Sequence, residues 1–171
     1  MTEQEALWKH IRSGDRREFE AFYHAHAARV LQFLCRMTRN RQASEDITQD
    51  VFLELWKRPN GFDPSRGNLI NYVFGIARKR GAEWWRGHNA DHQEPSKAPD
   101  VQVKAKDAMS GILIDDAFSK LNVDDRSLLW LREIEGHSYA ELAVIYDVPI
   151  GTIRSRLFSA REELRRLWKT E

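Results

Sequence analysis

The chain has 171 residues, with 27 Lys and Arg against 26 Asp and Glu and a formal net charge of +1. Six Trp, eight Phe and four Tyr within a 42% hydrophobic composition supply enough apolar surface for a packed core, which excludes a wholly disordered chain. Near-neutrality excludes a protein that coats nucleic acid by uniform positive charge, but it leaves room for local basic patches.

The first stretch, MTEQEALWKHIRSGD, has helical character and lacks the apolar core of a signal peptide. Gly14 and Asp15 break it, and Asp15 is placed to cap a helix over Arg16–His26. A second run, Ala28–Arg39, sets Val30, Leu31, Leu34 and Met37 on one face, with the lone cysteine, Cys35, read as a buried thiol. Asn40-Arg41-Gln42 reads as a turn, with Ser44 capping a helix to about Trp56. Pro59-Asn60-Gly61 and Asp63–Asn68 are loop chemistry, followed by helical pieces over Leu69–Arg78 and Ala82–Arg86. Gly87–Lys106 is polar and carries two prolines, so it reads as a linker. Helices then resume over Ala108–Leu121 and from an Asp124 cap to Ile134 before Gly136. No apolar run approaches membrane-spanning length, and with a single cysteine the default expectation is a soluble protein of a reducing compartment.

The last segment carries the sharpest local pattern. Ser138-Tyr139-Ala140-Glu141 is a capping box that opens a short helix, Tyr139–Tyr146, stopped by Asp147-Val148-Pro149. A longer helix comes next, with Ile153, Leu157, Ala160, Leu164 and Leu167 on one stripe. Short helix, tight turn and long helix make a helix-turn-helix. Around that stripe stand Thr152, Arg154, Ser155, Arg156, Phe158, Ser159 and Arg161, with three cations and no acid. Arg can fork onto guanine, Ser can bond either partner, and an exposed aromatic can pack on thymine methyls. Remaining cations would hold phosphates. A solvated amphipathic helix is the plain alternative, and exposed Phe158 fits it least.

Two further segments stand out. Glu45–Leu55 holds four acids and no base, with Asp46, Asp50 and Glu54 at i, i+4, i+8. It is either an ordinary acidic surface or a docking face for a basic partner, and spacing alone does not choose. Ile76–His88 interleaves Arg78, Lys79, Arg80 and Arg86 with Trp84 and Trp85, just after Tyr72 and Phe74. Cations among aromatics suit single-stranded nucleic acid, which needs phosphate pairing and π-faces for unstacked bases. At least one of those tryptophans is expected in the core, because adjacent helical residues diverge by about 100°. There is no phosphate loop, nucleophile elbow or paired-carboxylate site; His88 and His92 lack a ligand framework. No catalytic residue, metal or cofactor is expected.

With these motifs in hand, the chain resembles bacterial alternative sigma factors of the extracytoplasmic-function group. Residues 43–56, ASEDITQDVFLELW, are similar to that group's core-polymerase-binding helix. Ile76-Ala77-Arg78 and the residues after them are similar to its −10 element, and LREIEGHSYAELA with VPIGTIRSRLFSAREEL to its −35-binding domain. The resemblance implies an all-α fold of two small helical domains, 1–88 and 108–171, joined by a flexible linker over 89–107. It implies that Asp46, Gln49, Asp50, Phe52 and Glu54 meet the β′ clamp helices of core RNA polymerase, with the β flap as a further contact. It assigns Tyr72, Phe74, Arg78, Lys79, Arg80, Trp84 and Arg86 to −10 DNA. The −35 set is Thr152, Arg154, Ser155, Arg156, Phe158, Ser159 and Arg161. An anti-sigma factor, able to hold the protein at a membrane it does not itself enter, is a further implied partner.

Twenty linker residues span at most about 66–72 Å extended but only about 25 Å as a free coil. Promoter sites one to two duplex turns apart, about 34–70 Å, then require the polymerase to stretch the chain. Weak promoter binding by the free protein is expected. A helix-turn-helix repressor would use residues 108–171 and leave the acidic and aromatic-basic segments idle; a DNA-independent helical adaptor would leave Arg154 idle as well. The net charge averages over segregated patches: −4 across Glu45–Leu55, +3 across Ile76–His88, −5 across Gly111–Asp147 and +3 across Ile150–Arg161.

Overall fold

The computed structural model describes residues 1–89 and 115–169. Among them all regular structure is helical. Helix α1 (Glu3–Arg12) is opened by a capping box between Thr2 and Glu5. Helix α2 (Arg16–Thr38) is capped by Asp15, as the sequence indicates, but it runs unbroken past residues 26–28. Ala25, Ala27 and Ala28 are strong helix formers and nothing there competes for the backbone.

Helix α3 (Arg41–Lys57) starts one turn earlier than expected. Asn40, not Ser44, accepts the Ala43 N–H at 2.9 Å. Ser44 is buried inside the helix, where its hydroxyl donates to the Asn40 carbonyl and contacts the Thr38 hydroxyl. Two short 3₁₀ turns, Pro59–Gly61 and Pro64–Arg66, lead into α4 (Leu69–Asn89). The two expected pieces of α4 are one helix through Gly81. A Cβ there would lie 3.0 Å from Leu34 Cδ2 and 3.2 Å from Met37 Sδ, so the glycine permits α4 to lie close on α2.

Helices α2, α3 and α4 enclose one core, with Phe33, Leu34, Val51, Phe52, Leu55, Val73, Phe74 and Ala77 buried. Cys35 is buried there, as expected. Helix α1 braces this bundle through Ile11 and holds the loop before α4: Trp8 Nε1 donates to the Pro59 carbonyl at 3.0 Å, and Gln4 accepts the Leu69 N–H at 3.1 Å.

The C-terminal half begins, in the described residues, with helical residues 115–120. Helix α5 (Val123–Leu129) is capped by Asn122 rather than Asp124, and a π-helical turn, Trp130–Ile134, ends it before Gly136 at φ +76°. Helix α6 (Tyr139–Tyr146) and helix α7 (Ile150–Lys169) complete the regular structure of the described residues. The capping box of α6 is present as expected, with Ser138 accepting the Glu141 N–H at 3.1 Å. Ser138→Ala is therefore expected to lower stability by about 1 kcal/mol, measurable as an earlier thermal transition. Helix α4 takes in Gly87, His88 and Asn89, which the sequence placed in the linker; the rest of that linker, and the expected Ala108–Leu121 helix before residue 115, lie outside the described residues.

The two halves pack against each other. Arg126 of α5, 1% exposed, reaches the Met37 carbonyl at 2.8 Å, and its guanidinium lies 4.4 Å from the Trp85 ring centroid. Arg29 donates to Glu135 at 2.6 Å, Arg86 to Asp124 at 3.0 Å, and Asn71 to Glu141 at 2.9 Å. His137 meets the Phe74 ring edge-on at 5.3 Å. No described helix is long and apolar enough to cross a membrane.

Candidate polymerase and nucleic-acid surfaces

The outer face of α3 presents Asp46, Gln49 and Asp50 to solvent. Leu53, 47% exposed, continues that face at i+7 from Asp46. The sequence reading missed Leu53, although the same spacing that aligned the acids places it beside them. Phe52 is a correction. It is only 2% exposed, packed edge-on against Phe22 at 6.1 Å and Tyr23 at 5.0 Å, so it belongs to the core and not to a docking face. Glu54 is half-buried and ion-paired with Arg80 of α4.

The seven expected −10 residues divide among different environments. Tyr72 and Lys79 line a cleft of about 210 Å³ beside the 61–68 loop, together with Asn68, Asn71, Gly75 and Ile76. Burial, reinforced by the Glu54 charge, pushes the Tyr72 phenol up, so it remains a neutral hydrogen-bonding group. Phe74 is a second correction: it is fully buried between Phe33 and His137. Arg78 lies beneath the Tyr146 ring, 4.5 Å from its centroid, and its Nε is buried with no hydrogen-bond partner among the described residues. Arg80 is held by Glu54 and Arg86 by Asp124. Trp84 stacks on His88 at 4.2 Å, and Trp85 carries Arg126 over its ring, so both tryptophans are half-buried and face different neighbours.

Across the cleft the wall is made by the C-terminal half, through Val144, Ile145 and Asp147. Arg66 of the loop lies 3.5 Å from Asp147, the left-handed residue that ends α6 at φ 52°. Glu141 bonds Asn71 with one carboxylate oxygen and closes its own capping box with the other. Burial pushes the Glu141 carboxyl up, but bonds from Asn71 and Ser138 outweigh it and hold the group below its ordinary value. Its stabilising contribution is thus fully present above the ordinary glutamate pKa and is lost as pH falls through the lower folded value.

On α7 the apolar stripe is as the sequence indicates: Ile153, Leu157 and Ala160 are buried, and Leu164 and Leu167 pack against the core. Arg154, Ser155, Arg156, Phe158 and Ser159 are exposed, Phe158 by 68%. Thr152 is half-exposed, and its carbonyl accepts the Ser155 hydroxyl at 3.0 Å. Arg161 is turned back: it donates to Glu133 at 2.7 Å, and bonds to Glu133 and Tyr139 raise its pKa. It ties α7 to the π turn and α6, so any phosphate contact there would have to displace an existing ion pair.

Residues 22–90 match the Sigma-70 region 2 family, and residues 112–164 match the Sigma-70 region 4 family. The chain belongs to the sigma-70 family. It is 28% identical to the ECF RNA polymerase sigma factor SigK of Mycolicibacterium vanbaalenii, over 96% of this chain and 88% of that protein. It is 26% identical to the RNA polymerase sigma-H factor of Pseudomonas aeruginosa, over 95% and 92%. It is an alternative sigma factor of the extracytoplasmic-function group, directing transcription initiation.

Its fold is that of CnrH in complex with the cytosolic domain of CnrY, with a TM-score of 0.76, 20% identity and 98% of each chain covered. The sigma factor RpoE of Bartonella quintana, in complex with the anti-sigma factor NepR, gives a TM-score of 0.68 at 24% identity, over 91% of this chain and 99% of that one. In the sigma factor described here, the helix-turn-helix surface on α7 lies within the region 4 match, while α3 and the α4 side of the cleft lie within region 2. Asn68 and Asn71 are among the cleft residues that sequence reasoning missed. Neither is charged or aromatic, so a search for cations among aromatics passes over them.

Proposed function

We propose that this sigma factor docks on core RNA polymerase through the Asp46, Gln49, Asp50 and Leu53 face of α3. Its cleft beside Tyr72 and Lys79 takes the −10 strand, and the Arg154–Ser159 surface of α7 reads the −35 major groove. In this reading residues 1–89, to the end of α4, form the region 2 domain, 90–107 the linker and 108–171 the region 4 domain, the last also meeting the β flap. The observation that carries it is the pairing of exposed Asp46 and Asp50, on a run of α3 (Glu45–Leu55) that itself contains no base, with an acid-free outer face on the first three turns of α7. One face steers onto a basic protein partner and the other onto a polyanion. An anti-sigma factor is a second protein partner, by likeness to RpoE in its complex with NepR. The chain acts as a regulatory, non-enzymatic subunit beside DNA in a bacterial cytoplasm.

The closed packing of the two halves adds a physical reason for weak promoter binding by the free chain. Arg78 and Arg86, which face DNA in this reading, are engaged by Tyr146 and Asp124. The test is reconstitution with core polymerase and transcription from a promoter library, with a parallel duplex-binding measurement on the free protein. Transcripts with core, and weak binding without it, are the expected pair of results. Tight, specific duplex binding by the free chain and no complex with core would favour a repressor. Asp50→Lys is expected to cost at least about 2 kcal/mol of core binding, as a reversed charge at the centre of a docking face. Titration of labelled sigma factor with core polymerase measures it.

A further inference from the structure

Asn71 belongs both to the cleft wall and to the contact between halves. It lies one helical turn before Gly75 and two before Arg78, and it lines the cleft with Asn68, Tyr72 and Lys79. Its backbone N–H is bonded to Asn68, so its side chain is not needed to start the helix. An amide presents a donor and an acceptor side by side, the pattern that pairs with a base edge. Here the donor is given to the Glu141 carboxylate at 2.9 Å.

We propose that Asn71 is a base-contacting residue of the −10 cleft, and that Glu141 occupies the position of the base while the two halves are closed. This role rests on the −10 reading of the cleft. Two neighbouring contacts repeat the same substitution. The Tyr146 ring lies on Arg78 as a base plane would, and the Asp124 carboxylate holds Arg86 as a phosphate would. Acceptor, π-face and anion thus meet α4 at Asn71, Arg78 and Arg86, along the side that would carry the strand. All three come from the segment whose charge is −5, Gly111–Asp147. That acidity serves the chain internally as a stand-in for nucleic acid. The strand and the C-terminal half compete for one surface, and whatever draws the halves apart exposes Asn71.

The experiment selects strands from a randomised single-stranded DNA library, using holoenzyme assembled from core polymerase and either wild-type or Asn71→Ala sigma factor. The wild-type holoenzyme is expected to enrich a −10 sequence, and Asn71→Ala to enrich the same sequence with one position degenerate. Full retention of every position by Asn71→Ala overturns the base contact. A wild-type holoenzyme that enriches nothing removes the −10 reading of the cleft itself, and the Asn71 contact with it. The masking is tested on the free full-length chain with the enriched strand. Glu141→Ala is expected to bind it about tenfold more tightly than wild type, the scale of one lost charge-assisted hydrogen bond. Ser138→Ala breaks the same capping box but keeps the Asn71 contact, and is expected to leave strand affinity unchanged. Equal strand affinity for Glu141→Ala and wild type, or an equal gain for both variants, overturns the masking.

Discussion

Arg126→Ala is expected to destabilise the chain by about 3 kcal/mol, a fall in Tm of about 6–12 °C for a protein of this size. Arg126 is almost wholly buried and donates to three carbonyls, those of Leu121 at 2.7 Å, Met37 at 2.8 Å and Ser119 at 3.3 Å. Met37 stands in the last turn of α2, while Ser119 stands in the last turn of helical residues 115–120 and Leu121 directly after it. Carbonyls at a helix C-terminus have no intrahelical partner and carry the negative end of the helix dipole. One cation thus closes two helix ends from opposite halves. Burial, with Arg39 nearby, lowers the guanidinium pKa to about 10, still far enough above neutrality to keep it charged. Alanine would strand the carbonyls and also uncover Trp85. Thermal unfolding followed by circular dichroism measures the loss, and a fall of less than about 2 °C would contradict the double-cap account.

Arg154→Ala is expected to cost about 1–3 kcal/mol at a single −35 base pair, a loss of about fivefold to 150-fold confined to one position. Arg154 is exposed on the first turns of α7 with no ion pair among the described residues, so its fork is free to meet a base edge. Arg156, also exposed, stands on a different azimuth of the helix and suits a phosphate. Arg156→Ala is accordingly expected to weaken all −35 sequences alike and to reduce the salt slope by about 1. Binding of holoenzyme to −35 duplexes, with each base pair varied in turn and salt titrated, separates the two. A uniform loss for Arg154→Ala would move it from the reading set to the phosphate set.

The helix-turn-helix was legible because its determinants are local. Ser138 and Glu141 are three residues apart, and the stripe from Ile153 to Leu167 needs only helical spacing. Helix ends were less legible. Asn40 and Ser44 both can cap, and what decided between them is the Thr38 hydroxyl that draws Ser44 inward. Gly81 reads locally as a break and acts instead as the contact point of two helices, information held by Leu34 and Met37 more than forty residues away. The surface roles of Phe52 and Phe74 come from the family resemblance, and both side chains are buried. Burial is a property of the bundle, and a resemblance carried over residue by residue does not say that these two rings turn inward against Phe22, Tyr23 and Phe33. The closure of the halves depends on contacts such as Arg29 with Glu135, 106 residues apart, and no local pattern carries it.

Helix α1 lies before residue 22, where the region 2 match begins. Yet Ile11 is part of the core, and the Trp8 and Gln4 bonds hold the loop at Pro59 and Leu69, the two ends of the cleft's rim. The family boundary and the folding boundary therefore differ. A fragment trimmed to the matched residues would keep every DNA-facing side chain of the cleft while losing the struts that fix its rim, and its strand binding would report on a loosened loop.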